Sequence, residues 1–159
     1  LDARPDAAVV VAAGSADFSL YPPALAFRYR LQLFALPLIT ALYGYVPGRL
    51  GLGADLPKGV VSEWARWCHT RGYARGALPA ADVHYDSFDR RMLFVEVEDD
   101  VMSPTRPFAE LMSWYTAAAR THVVAGPSEL GVRQIGHFGV FALSSVSPVW
   151  DKIIDWIRG

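Results

Sequence analysis

The sequence predicts an α/β fold in which parallel strands are flanked by helices. Three observations carry that expectation. Ala7–Ala13, Met92–Val97 and Thr121–Ala125 are short, predominantly apolar and valine-containing, the pattern of strands buried on both faces of a parallel sheet. Apolar stripes at helical spacing follow the second of these runs and close the chain. The resulting order of strand, helix, strand, loop and helix is that of a sheet whose crossovers are helical.

The totals set limits. A chain of 159 residues is expected to form one domain. Its hydrophobic share of 52% is high and its charged share of 19% low, so much apolar surface must be hidden, either in its own core or against a missing segment or an oligomeric partner. The net charge is −1 and the arginines are scattered. No basic run interleaves with aromatics, which argues against nucleic acid. The lone cysteine, Cys68, cannot form an internal disulfide and has no Cys/His spacing around it; it reads as a small buried hydrophobe, with no metal site and no cofactor implied. Leu1-Asp2-Ala3-Arg4 lacks the basic start and long apolar stretch of a secretion signal. Together these favour a cytoplasmic protein, and the absence of an initial Met raises the expectation that the natural protein begins upstream.

In chain order, Ala7–Ala13 is the first core strand, and Gly14-Ser15-Ala16-Asp17 breaks it where open α/β sheets place ligands. Residues 1–17 are assigned to the core, 18–89 to a helical insertion and 90–159 to the core again, because the middle region does not alternate strand with helix. Ala24–Tyr43 is long, apolar and helix-compatible, and Pro37 is expected to interrupt it. Its uncharged part, Leu31–Val46, falls short of the roughly 20 residues a crossing helix needs, so helices forming a lid are expected and membrane contact is not. Gly44–Gly53 reads as loop. Asp55 is expected to cap a helix with Pro57 in its first turn and Val60, Val61, Trp64, Trp67 and Cys68 on its apolar face. Packing is the default reading of Trp64 and Trp67; the sharper one makes them candidates for lining an apolar substrate pocket. Further on, Phe108, Leu111, Met112 and Tyr115 mark one helical face. Ser147-Pro148 starts a last helix whose stripe is Val149, Trp150, Ile153, Ile154 and Ile157.

The chemistry concentrates in two places. Asp100 ends the Glu98-Asp99-Asp100 cluster directly after the Met92–Val97 strand. His137 sits in Ile135-Gly136-His137-Phe138-Gly139, read as a flexible loop after the third strand, with Phe138 beside it as a further candidate substrate contact. Acyl transfer by a triad needs a hydroxyl that attacks, an imidazole that takes its proton, and a carboxylate that fixes the imidazole tautomer. An acid after one parallel strand and a histidine after the next both project from the same sheet edge. Glu98 and Asp99 are rivals for the acid, and a carboxylate before Ser103-Pro104 can equally be a turn residue. His69, His84 and His122 have no comparable setting. The nucleophile is missing: no Gly-x-Ser-x-Gly occurs, and Gly14-Ser15-Ala16 has Ala13 where the leading Gly would stand.

These residues resemble the bacterial predicted α/β-hydrolases related to serine esterases, lipases and aminopeptidases. The resemblance covers nearly the whole chain as that family's C-terminal portion. It is carried by Val10–Ser15, Leu42–Gly48, Leu50-Gly51-Leu52-Gly53-Ala54-Asp55-Leu56-Pro57-Lys58-Gly59-Val60, Glu63–Cys68 and Ile135–Gly139. It implies a core with a helical cap insertion, Asp100 as the acid and His137 as the base, and a Ser nucleophile upstream of residue 1. The expected function is therefore ester or acyl hydrolysis on a small apolar acyl substrate by a longer parent, with this chain alone inactive. The alternatives are a non-catalytic binding or structural domain of the same fold and, less favoured, a membrane-associated module using Ala24–Tyr43.

Overall fold

A three-stranded parallel sheet forms the frame of the molecule: β1 (Ala7–Val11), β4 (Arg91–Val97) and β5 (Ala119–Ala125) lie in the order β1-β4-β5. The computed structural model describes residues 5–50, 54–142 and 146–159. Gly51, Leu52 and Gly53 of the expected insertion motif, and the opening Leu1–Arg4, lie outside the described residues. Between β1 and β4 in the chain come α1 (Pro23–Tyr43), a two-residue antiparallel pair β2 (Tyr45–Val46) and β3 (Leu56–Pro57), α2 (Lys58–His69) and α3 (Tyr73–Ala77). Then α4 (Thr105–Trp114) connects β4 to β5, and α5 (Gly136–Ala142) and α6 (Ser147–Arg158) complete the chain.

The chain divides into two compact units. The first holds β1 up to Ser15 and everything from His84 onward; the second is Ala16–Val83. In the first unit β4 is the central strand, and Met92 to Val97 are all buried. Side chains alternate across a strand, so β4 feeds two cores. Leu93, Val95 and Val97 join Val140, Val149 and Ile153 of α5 and α6. Met92 and Phe94 join Phe108 of α4, with the Phe94 and Phe108 rings edge to face at 6.2 Å. This placement explains the continuous apolar run in β4: neither face reaches water.

In the second unit α1 packs Ala26, Leu33 and Leu36 with Val61 and Cys68 of α2, around Phe18, Tyr21 and Val46. Several local expectations are corrected here. Pro37 does not interrupt α1, which runs as one helix of 21 residues. Proline removes one i→i−4 bond and crowds the preceding turn, yet the packed face on either side, at Leu33, Leu36 and Thr40, holds the helix together. Gly44, at φ +77°, ends it in the left-handed conformation. Asp55 does not cap α2; its carboxylate accepts the Gly48 N–H at 2.8 Å, and the helix starts after Pro57. The buried face of α2 is Val61, Ala65 and Cys68, while Val60 is exposed. Val61 to Ala65 to Cys68 is the 4-then-3 spacing of a narrow stripe, and Val60 falls beside it.

In the first unit, the His137 segment is not a loop: Gly136–Ala142 is a short helix, with Gly136 at φ +63° turning the chain into it. On α6, Val149 and Ile153 are buried but Ile154 and Ile157 are exposed. The stripe is therefore narrower than the apolar count suggests.

Candidate active site

Asp100 and His137 meet. β4 ends at Val97, and a tight turn follows in which the Asp100 N–H donates to the Val97 carbonyl at 3.1 Å. That turn drops Asp100 beside the carboxyl ends of β4 and β5, with its side chain fully buried. One carboxylate oxygen, Oδ1, accepts the N–H groups of Met102 at 2.8 Å and Ser103 at 3.0 Å. The other, Oδ2, lies 2.7 Å from His137 Nδ1. Among the described residues Asp100 is the one hydrogen-bond partner of the His137 ring. A carboxylate can only accept, so Nδ1 carries a proton, and in the neutral imidazole that leaves the lone pair on Nε2. The imidazole is partly open to solvent, with a side-chain exposure of 27%. A buried carboxylate fixing the tautomer of a partly exposed imidazole is the arrangement a general base requires.

Asp99, a rival for the acid, has a different task. Its two oxygens accept the N–H groups of Ile135 and Gly136, each at 2.9 Å. It satisfies two backbone donors at the entry to α5 and thereby places His137, one residue later, over Asp100. Glu98 is exposed and its N–H continues the β4–β5 ladder to the Ala125 carbonyl. The three adjacent carboxylates are thus sorted by the turn: one to solvent, one to the α5 backbone, one to the imidazole.

Phe138 is exposed and packs edge-on against the His137 ring, centroids 4.8 Å apart. Trp64 and Trp67 belong to the second unit. Trp64 is half-buried against its core, and Trp67 meets Tyr73 edge to face at 5.8 Å, its buried indole N–H without an acceptor among the described residues. Both are accounted for by packing within that unit. Ser15 is completely buried, and its hydroxyl donates to the Glu110 carboxylate. Its N–H donates to the Pro107 carbonyl, so it ties the end of β1 to α4. The neighbouring Gly14 is closely packed: a Cβ there would come within 2.6 Å of Ser103 Oγ and 3.2 Å of Pro107 Cβ, so the Ser103 hydroxyl would have to move.

A second carboxylate–imidazole pair escaped the sequence reading. Glu96 Oε2 lies 2.9 Å from His122 Nε2, with Glu96 buried and His122 over the Phe108 ring. Glu96 shares a face of β4 with Met92 and Phe94, and the signal was present: it is the one charged residue inside an otherwise apolar strand core, and a buried carboxylate demands a partner. Among the described residues no three His, Cys, Asp or Glu side chains converge to hold a metal ion.

No protein-family model matches the chain, and neither a curated protein nor a solved structure matches it significantly.

Proposed function

We propose that this chain supplies the acid and the base of a serine hydrolase acting on ester or other acyl bonds. The observation that carries the reading is the 2.7 Å contact between His137 Nδ1 and the buried Asp100 carboxylate at the ends of adjacent parallel strands. In this reading His137 Nε2 takes the proton of an attacking serine hydroxyl and returns it to the leaving group. Asp100 holds the imidazole in that tautomer and stabilises the imidazolium formed in each half-reaction. The nucleophile comes from an elbow on chain preceding Leu1. In support, Ser15 is committed to Glu110, and β1 is paired on one side only among the described residues. A further parallel strand added at that edge would end beside the same carboxyl rim as Asp100.

The parallel sheet and its helices are then the C-terminal part of an α/β-hydrolase fold, and Ala16–Val83 is its cap. Small apolar acyl compounds are the proposed substrates. The test is labelling of the intact protein with a serine-reactive fluorophosphonate. Labelling that is lost in His137→Ala, with the fold retained by circular dichroism, supports the hydrolase. An intact protein that neither labels nor hydrolyses short-chain esters overturns it and leaves a binding domain that retains the acid–base pair for structure.

A further inference from the structure

Helix α1 has two faces, both apolar. Ala26, Leu33, Leu36 and Thr40 are buried in the core of the second unit. On the opposite side Phe27, Leu31, Phe34, Leu38 and Leu42 are all between 60% and 82% exposed. Their spacing of 4, 3, 4 and 4 residues confines them to a strip about 80° wide, since each residue advances about 100° around the helix. The strip runs about 22 Å along α1 at 1.5 Å per residue. Tyr43 and Tyr45, both exposed, stand at its C-terminal end. An open groove of about 380 Å³ between α1 and α2, lined by Leu33, Phe34, Pro37, Leu38, Ala65 and Arg66, extends this apolar surface inward.

The charge around the strip is one-sided. From Phe18 to Ala54 there is no acidic residue, whereas Arg28, Arg30 and Arg49 are present and exposed. By the same helical geometry Arg28 and Arg30 fall about 80° to either side of the strip's centre; both are exposed, and the Arg28 guanidinium lies over the Tyr29 ring, 5.3 Å from its centroid. The two carboxylates that bracket the segment are turned to internal use: Asp17 accepts from Gly72 and Ser19, and Asp55 from Gly48. The whole unit Ala16–Val83 holds seven basic and four acidic residues, a net of +3 in a chain of net −1.

We propose that the exposed strip of α1 docks the protein on an anionic lipid bilayer, lying in the interface with its arginines at the phosphate level. Large apolar residues on one helix face, basic residues along its margins and tyrosines at its end are what such a surface needs. A second copy of the chain fits less well: two such strips facing each other would bring arginines together with no carboxylate on α1 to answer them. The helix is long and apolar enough to cross a membrane by length and composition. However, crossing would carry α2, with exposed Lys58, Glu63 and Arg66, into the hydrocarbon beside it. Lying flat buries the strip and leaves the α2 contact intact. This docking surface stands independently of the hydrolase reading.

The experiment is flotation of the full chain with extruded vesicles of neutral phosphatidylcholine or of phosphatidylcholine with about 30% phosphatidylglycerol. The chain is expected to float with the anionic vesicles, less so at high salt, and weakly with neutral ones. Phe34→Glu with Leu38→Glu should lower partitioning at least about tenfold. Arg28→Ser with Arg30→Ser should abolish the preference for anionic lipid. Both sets lie on exposed positions, and circular dichroism checks that they fold. Ile157→Glu, at an exposed apolar position on α6, should leave flotation unchanged. Equal loss with Ile157→Glu would reduce the effect to general stickiness and overturn the proposal. So would failure to float, a dimer abolished by Phe34→Glu without vesicle binding, or resistance to carbonate extraction, which marks a spanning helix.

Discussion

His137 Nδ1 sits 2.7 Å from Asp100 Oδ2, while Asp100 Oδ1 is anchored by the Met102 and Ser103 N–H groups. The carboxylate is held on both sides, so the imidazole has one orientation to adopt. Asp100→Asn replaces an oxygen by an amide that presents a donor to Nδ1, which favours the other tautomer. In the intact protein Asp100→Asn and His137→Ala are each expected to lower kcat for a short-chain p-nitrophenyl ester by about 10³–10⁴-fold, with KM little changed. Initial-rate measurements check this; a fall confined to KM would assign the pair to binding.

Asp99 acts one step removed, through the backbone of Ile135 and Gly136. Asp99→Ala leaves two N–H groups at the start of α5 without their acceptor, and Ile135 beside them is buried. The expected cost is about 2–3 kcal/mol, read as a lower urea midpoint at unchanged m-value. Asp99→Asn keeps an acceptor oxygen and should cost less than the alanine variant. An alanine variant as stable as the parent would show that α5 forms without this clamp.

The strands and the Asp100–His137 contact were legible because their signals are local. Met92–Val97 reads as a buried strand from apolar continuity alone, and Asp100 and His137 follow from their positions after successive strands. Tertiary context decided the rest. Ile135–Phe141 carries two glycines and reads as loop, but Asp99, 36 residues before Ile135 in the chain, supplies the hydrogen bonds that let a helix start there. Pro37 reads as a break, but the packed face of α1 carries the helix through it. The Glu96–His122 contact joins two strands across 26 residues; a charge inside an apolar strand signals that Glu96 needs a partner, but its neighbours in sequence do not say which residue that is. The exposed strip on α1 was hidden for the opposite reason: with apolar residues all round the helix, the sequence does not say which face is buried.

Cys68 is 2% exposed in the core between α1 and α2, and burial pushes its thiol up to about 12. The thiolate is the reactive species. Cys68 is therefore expected to resist an aromatic disulfide reagent at pH about 8 in the native protein and to react at once in urea. Fast reaction without denaturant would mean that the α1–α2 pair opens readily. The rate of slow native labelling, extrapolated against urea, then gives the stability of that pair separately from the parallel sheet.

Asp17 fastens the start of the second unit to its far end. Its side chain accepts the Ser19 N–H at 2.9 Å and the Gly72 N–H at 2.6 Å, and Gly72, at φ +79°, holds a backbone conformation few other residues adopt. Burial is the largest single influence and raises the carboxyl's pKa. The hydrogen bonds from Gly72 and Ser19, with the nearby charge of Arg71, together outweigh it and hold the group below its ordinary 3.8. The folded protein thus binds this proton less readily than the unfolded chain. The stabilisation is present above the unfolded value and is lost as pH falls from about 4 through the lower folded value. Urea midpoints followed by tryptophan fluorescence should be flat in this respect near neutrality and decline below about pH 4. Asp17→Asn has no charge to lose. It should be less stable than the parent near neutrality, converge with it in acid, and lack that part of the decline. A variant that tracks the parent's acid decline in parallel would place the responsible carboxylate elsewhere.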